Sequence, residues 1–343
     1  AEYVAEEAAG RMRYRGFGSN LPGGLAANLL RPFKNAANTN IIWHGGRLLA
    51  LWEGGLPHRL DPRTLATLGA DDFQGRLRAG NGRFARLLPF SAHPRIDADT
   101  GELINFGVAF GRPHRLMIFR VPANGCMAPP EAHPLPSFSF VHDIAVTRRW
   151  LCVLLPRADF RIGPALLGLR SAVASLDLDT ATPMQAMLIP RDGGPVHFIE
   201  AVPGFVFHIA QAFDDDDGRL VIDAVRFRDY PAFDDLAGLF AEDAADSLPR
   251  LERLTLDLDR GSATLRPWSE RGFELPTTAP GPFGARHRVI DGVGAPADRG
   301  VPFFSSIQRL DTASGALDVL ELGRDLAGEP IPAAGCRPGD GDG

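Results

Sequence analysis

Cysteine is scarce in this chain: Cys126, Cys152 and Cys336 are widely spaced and form no CxxC pair. That argues against a disulfide framework and a thiolate zinc site, and it fits a reducing, cytoplasmic setting. Excess positive charge is also lacking. The formal net charge is −6 and no Lys/Arg patch carries interleaved aromatics, which argues against a nucleic-acid partner. No apolar run approaches the roughly 20 residues that span a bilayer, and residues Ala1 to Gly16 hold no signal-peptide apolar core. The chain does not begin with Met, so a fragment or a processed product is expected. Helical patterning is sparse, with Phe233 to Ser247 the best short candidate.

Glycine and proline are plentiful, at 38 and 29 residues, and they punctuate short β-prone runs. With 45% hydrophobic residues the chain can build the core of one large all-β domain or two medium domains. A hairpin signature recurs at Ile96-Asp97-Ala98-Asp99-Thr100-Gly101, Leu258-Asp259-Arg260-Gly261-Ser262 and Leu310-Asp311-Thr312-Ala313-Ser314-Gly315. Each is an apolar strand end, an Asp turn and a Gly suited to positive φ. Recurring hairpins of this kind suit the four-stranded blades of a propeller, although a β-sandwich uses them too. The acidic run Asp214 to Asp217 before Gly218 reads as a solvated hairpin turn, since EF-hand spacing is absent. Phe160 to Leu169 is apolar and broken by Gly and Pro. It reads as a buried connection, or as a greasy loop at a ligand entrance or membrane surface.

Three histidines interrupt apolar, β-prone stretches: Phe90-Ser91-Ala92-His93, Ser139-Phe140-Val141-His142 and Phe205-Val206-Phe207-His208. A buried neutral imidazole needs a hydrogen-bond partner or a metal to offset its desolvation. One such histidine reads as a hydrogen-bonded core residue, whereas three in like settings read equally well as a metal site. They are too far apart for one helix or hairpin and converge only if separate strands radiate about an axis. Glu53, Glu274 and Glu329 also sit among apolar neighbours, where a charge is costly unless paired. Each could ligate a metal or orient a ligating imidazole through its far nitrogen. Zinc, iron and copper are all compatible with histidine nitrogens.

The blocks around these residues resemble the carotenoid cleavage oxygenase family. The resemblance runs through Asn35-Ala36-Ala37-Asn38-Thr39-Asn40, Trp43 to Pro57, Ala92 to Asp97, and His142 to Thr147. It continues in Ile199-Glu200-Ala201 with Phe205 to His208, then Phe273-Glu274-Leu275-Pro276, and last Gly328-Glu329-Pro330. The blocks are collinear over nearly the whole chain. The resemblance implies a seven-bladed β-propeller with short helical or loop insertions on one face. It also implies an Fe(2+) ion on the axis, held by four histidines. His93, His142 and His208 match three ligands, and Glu53, Glu274 and Glu329 match the glutamates that orient ligands, Glu53 for His142 and Glu274 for His208. The implied activity is O2-dependent cleavage of a C=C bond in a lipophilic polyene, giving two carbonyl products. Phe138, Phe140 and Phe205 are the expected walls of an apolar tunnel.

Residues 1–343 are expected to form a single propeller domain lacking N-terminal and C-terminal segments of the family. No histidine follows Gly328-Glu329-Pro330, so the fourth ligand is not matched. His44, His58 and His287 lie off the ligand positions, with His287 a remote substitute. Trp52 stands where the stilbene-cleaving branch carries a lysine, which favours a carotenoid or apocarotenoid over a phenolic stilbene. Phe160 to Leu169 would meet a membrane surface peripherally. Competing readings are an inactive family member that binds apolar ligands, a stilbenoid-cleaving enzyme, a calcium-dependent lactonase propeller and a protein-interaction propeller.

Overall fold

The computed structural model describes residues 6, 8–10, 13–16, 20–29, 31–80, 86–167, 169–171, 175–228, 248–295, 304–323 and 325–332. The helix expected over Phe233 to Ser247 lies outside these residues. The short helices α1 (Gly24–Asn28) and α2 (Ile162–Leu166) are insertions in an otherwise β fold.

Four-stranded antiparallel sheets follow one another along the chain. The first holds β1 (Asn40–His44), β2 (Arg47–Leu51), β3 (His58–Leu60) and β4 (Thr67–Ala70). A two-stranded ribbon, β5 (Arg78–Ala79) and β6 (Arg86–Leu87), leads to the second sheet. That sheet holds β7 (Arg95–Ile96), β8 (Leu103–Ala109), β9 (Arg115–Val121) and β10 (Glu131–Pro134). The third begins with β11 (Ala145–Val146) and β12 (Trp150–Leu155). A ribbon of β13 (Arg157–Phe160) and β14 (Leu176–Asp179) interrupts it before β15 (Pro183–Pro190) and β16 (His197–Pro203) complete it. The fourth holds β17 (Phe205–Asp214), β18 (Leu220–Phe227), β19 (Arg250–Asp257) and β20 (Ser262–Pro267). The fifth holds β21 (Glu274–Thr277), β22 (Val289–Gly294), β23 (Ser306–Asp311) and β24 (Leu317–Glu321).

Side-chain alternation makes these sheets into blades. In β12, Trp150, Cys152 and Leu154 pack with Ile209, Leu220 and Ile222 of the fourth sheet. The intervening Leu151, Val153 and Leu155 pack with Ile104, Phe106 and Ile118 of the second. A strand covered on both faces must be apolar throughout, and all six residues are buried. Leu49 and Leu51 join the first sheet to Leu103 and Phe119 of the second, with Phe90 from the segment before β7 between them. Phe205, Val225 and Leu251 join the fourth to Ile290 and Leu310 of the fifth. Each inter-blade core therefore lies between consecutive sheets, which is the packing of a propeller. Five four-stranded blades lie among the described residues, where seven were expected. First strands meet near the axis, with β17 beside both β11 and β21, while β16 and β20 meet at the rim.

The Asp–Gly hairpins behave as expected. Asp97 Oδ1 accepts the N–H groups of Asp99 and Thr100, and Asp311 Oδ1 those of Ala313 and Ser314. Gly101, Gly261 and Gly315 have φ of 68, 62 and 77°, a region costly for residues with a Cβ. The acidic turn closes the β17–β18 hairpin, with Arg219 paired to Asp215 and Asp217.

One glycine matters for the histidines. The Ser91 N–H donates to Phe106 O (2.8 Å) and Asn105 Nδ2 donates to Ser91 O (2.8 Å), drawing the segment before His93 against β8. A Cβ on Gly107 would collide with the Pro89 carbonyl there. Gly107→Ala is therefore expected to cost about 3 kcal/mol in urea unfolding. A cost below about 0.5 kcal/mol would show that this close approach is not needed.

Candidate metal centre

The three histidines converge from consecutive blades. His93 lies just before β7, His142 just before β11, and His208 within β17. One potential ligand atom from each falls within 4.8 Å of the others. Ring centroids are 4.6 Å apart for His93 and His142, 5.0 Å for His93 and His208, and 5.2 Å for His142 and His208. The flanking blades supply carboxylates. Glu274 begins β21, and its Oε2 lies 2.6 Å from His208 Nδ1. Glu274 Oε2 also accepts the Leu275 N–H at 2.6 Å, with Leu275 at φ 48°, so the local backbone turn fixes the carboxylate. Glu53, directly after β2 in the first blade, approaches His142 Nδ1 at 3.5 Å, too long for a strong hydrogen bond.

Electrostatics divide the set. Burial holds His93 down to about 4, with Asp143 pulling it back upward. Burial also holds His142 well below its usual value, and His93 and His208 add to the depression. Burial alone would lower His208 too, but Glu274, with help from Asp143 and Glu329, lifts it above the usual value. Burial pushes Glu53 up to about 7, against a downward pull from His208. Glu329 is exposed, yet its charge reaches His208.

This donor set suits a transition metal. His93 Nε2 is buried without a hydrogen-bond partner, a costly state for a polar atom in an apolar interior. His142 Nδ1 faces Glu53 across 3.5 Å, which leaves its Nε2 for an ion. With Nδ1 of His208 donating to Glu274, its Nε2 is the nitrogen left for an ion. Three neutral nitrogens disfavour calcium, which takes oxygen ligands, and leave iron, zinc and copper equally acceptable.

Aromatic residues border the histidines. The Phe207 ring lies 4.2 Å from His142, and Phe140 stacks on Phe205 at 5.8 Å. Phe207 is not among the tunnel walls expected from sequence, although strict alternation would put it on the face of Phe205 and opposite His208. The β17–β18 register shifts between Val206 and Ile209, and such a bulge re-aims side chains. Phe138, expected beside Phe140 in a tunnel wall, instead packs with Phe110, Phe160 and His114. Phe160 ends β13 and is followed by α2, so the expected greasy loop is a strand end and a short helix with Leu167 and Leu169 exposed. His44 lies 2.9 Å from Gly101 O, and the His287 backbone is held by Gln211. Neither belongs to the cluster.

A propeller with histidines gathered from three consecutive blades is an arrangement that could hold a metal ion. The family model described as retinal pigment epithelial membrane protein matches residues 1–343, and the chain belongs to that family, the carotenoid oxygenases. It is 35% identical over 341 residues to the apocarotenoid-15,15'-oxygenase of Synechocystis, covering 96% of this chain and 68% of that protein. The isoeugenol monooxygenase of Pseudomonas putida is 30% identical over 240 residues, covering 68% of this chain and 47% of that protein. Among solved structures, cobalt-substituted Synechocystis ACO superposes with a TM-score of 0.83 at 32% identity, covering 96% of this chain and 69% of the other.

Proposed function

We propose that this protein is a non-haem Fe(2+)-dependent dioxygenase that cleaves one C=C bond of a carotenoid or apocarotenoid with O2, giving two carbonyl products. The observation that carries this reading is the convergence of buried His142 with half-buried His93 and His208, with Glu274 bonded to one imidazole and Glu53 beside another. Ferrous iron, when bound, supplies the capacity to react with O2. The chain's own groups do the rest. The three imidazoles hold the ion as neutral donors, and Glu274 fixes the His208 tautomer by accepting its Nδ1–H. Glu53 is placed to do the same for His142, and Glu329 adds negative charge near a cationic centre. Phe140, Phe205 and Phe207 would exclude water and lie against an apolar chain.

Trp52 gives no cation to grip a phenol, which favours a polyene, although relatives include a resveratrol cleavage oxygenase from Aspergillus fumigatus. The exposed Phe110, Leu167 and Leu169 suit transient contact with a membrane surface from which a lipophilic substrate is drawn. Among the described residues no helix is long and apolar enough to cross a membrane. A cytoplasmic, membrane-peripheral location is part of this proposal. We further read residues 1–343 as one domain of a seven-bladed ring. Exposed Ile41 and Trp43 on the first blade, and Ile307 and Leu320 on the fifth, are apolar faces that further blades would cover.

Aerobic incubation of the iron-loaded protein with an apocarotenal should yield two carbonyl products, with no comparable cleavage of resveratrol. Preferential resveratrol cleavage would reverse the substrate assignment. A second reading, an apolar-ligand-binding propeller without turnover, is favoured by the presence of three rather than four histidines in the described cluster. Apocarotenal binding to iron-loaded protein with no product would establish it.

A further inference from the structure

Two charged residues next to the histidines have no part in the reading above. The Asp143 side chain is only 2% exposed, and its Oδ2 lies 2.6 Å from Arg95 Nη2. The same Oδ2 accepts the Ile209 N–H at 2.8 Å, and Oδ1 accepts the Ile144 N–H at 2.7 Å. Arg95 spends its other donors on backbone carbonyls: Nη2 on Ile209 O at 2.7 Å and Nε on Ile144 O at 3.1 Å. Arg95 is two residues after His93, Asp143 is one after His142, and Ile209 is one after His208. One guanidinium and one carboxylate thus bond all three histidine-bearing segments, including both the N–H and the C=O of Ile209.

Resting on the metal-centre reading above, we propose that Arg95 and Asp143 are positioning residues that hold the second, third and fourth blades at the histidine spacing an ion requires. Separate blades have no covalent reason to keep their first strands in fixed mutual register, and inter-blade apolar packing is not directional. A planar guanidinium is directional: its fork fixes three acceptors at once, which a lysine ammonium on a flexible stem does not. Asp143 supplies the matching acceptors, and asparagine would lose both the charge and one acceptor oxygen. All the clamp's bonds run between protein groups, so on this proposal they can gather the histidines without help from an ion. Pre-set ligands bind more tightly because less ordering is left to accomplish on binding.

Titration with Co(II) alone, followed by its visible absorption, tests this. Arg95→Lys and Asp143→Asn should each weaken Co(II) binding about 10- to 100-fold and alter the band shape, because outer-shell partners tune ligand geometry. Leu256→Ala, in the apolar core between the third and fourth blades, serves as the stability control. It should lower the melting temperature yet leave cobalt affinity and spectrum unchanged. If Arg95→Lys does not fold, Asp143→Asn decides alone. Variants that melt early like Leu256→Ala but bind cobalt with wild-type affinity and spectrum would overturn the positioning role alone. A wild-type chain that binds no cobalt would overturn the metal centre, and this proposal with it.

Discussion

Replacing His142 by alanine is expected to weaken metal binding at least about 100-fold. His142 is among the buried polar residues, and its ring is flanked by His93, His208 and Phe207. Its removal leaves two imidazoles, and no other His, Cys, Asp or Glu among the described residues completes the group. A two-nitrogen site loses at least about 100-fold in affinity for a first-row divalent ion, more than the 10- to 100-fold loss typical of an outer-shell partner. The apo fold should lose only about 1–3 kcal/mol, since the lost ring packing is offset by removing a polar atom with no hydrogen-bond partner. His44→Ala is the comparison: its ring bonds the Gly101 carbonyl outside the cluster, and metal affinity should be unchanged. Equal loss in both variants, read by isothermal titration with Fe(II) under anaerobic conditions, would remove the ligand assignment.

The pH dependence of the apo protein should be set by groups of opposite sense. His93 has a folded value of about 4 against 6.5. Between these the unfolded chain holds a proton that the folded chain does not, so stability falls as pH drops through that window. His142, depressed further, acts in the same sense. Glu53 is raised from 4.5 to about 7. Between these the folded chain holds the extra proton, so its contribution is present at low pH and lost as pH rises through 7. His208, raised by Glu274, shares that sense.

Glu53→Gln removes one side of this balance. The apo variant should gain about 2 kcal/mol over wild type at pH 8, after allowance for the partial exposure of Glu53. The gain should vanish below pH 4.5, making the fall of stability with acid steeper in the variant. Urea unfolding at the two pH values checks this. A wild-type-to-variant difference that is the same at both would mean that Glu53 is not perturbed by the site.

The cluster was legible in the sequence because a histidine or glutamate set among apolar, β-prone residues is conspicuous. His93, His142, His208, Glu53 and Glu274 are each of this kind, and the fold brings them together. Blade count was less accessible. The expected seven came from the family resemblance for a propeller read as incomplete in this chain, and hairpin recurrence alone does not count blades, since the ribbon of β13 and β14 interrupts the third one. Phe138 and Phe140 look like same-face neighbours under strand alternation. Residues 135–144 form no strand, and Ser139 is pinned to Pro156 O, so period two does not hold there. Arg95 and Asp143 lay in plain view beside their histidines. Nothing in a linear sequence shows that a guanidinium from one blade reaches the backbones of two others.

The most direct test of the three-histidine centre is iron analysis with X-ray absorption on this chain, purified and loaded anaerobically with Fe(II). The account predicts about one iron per chain, with scattering from imidazole nitrogens in its inner shell and loss of that signal in His208→Ala. Sub-stoichiometric iron, or an inner shell of oxygen atoms unaffected by His208→Ala, would contradict it.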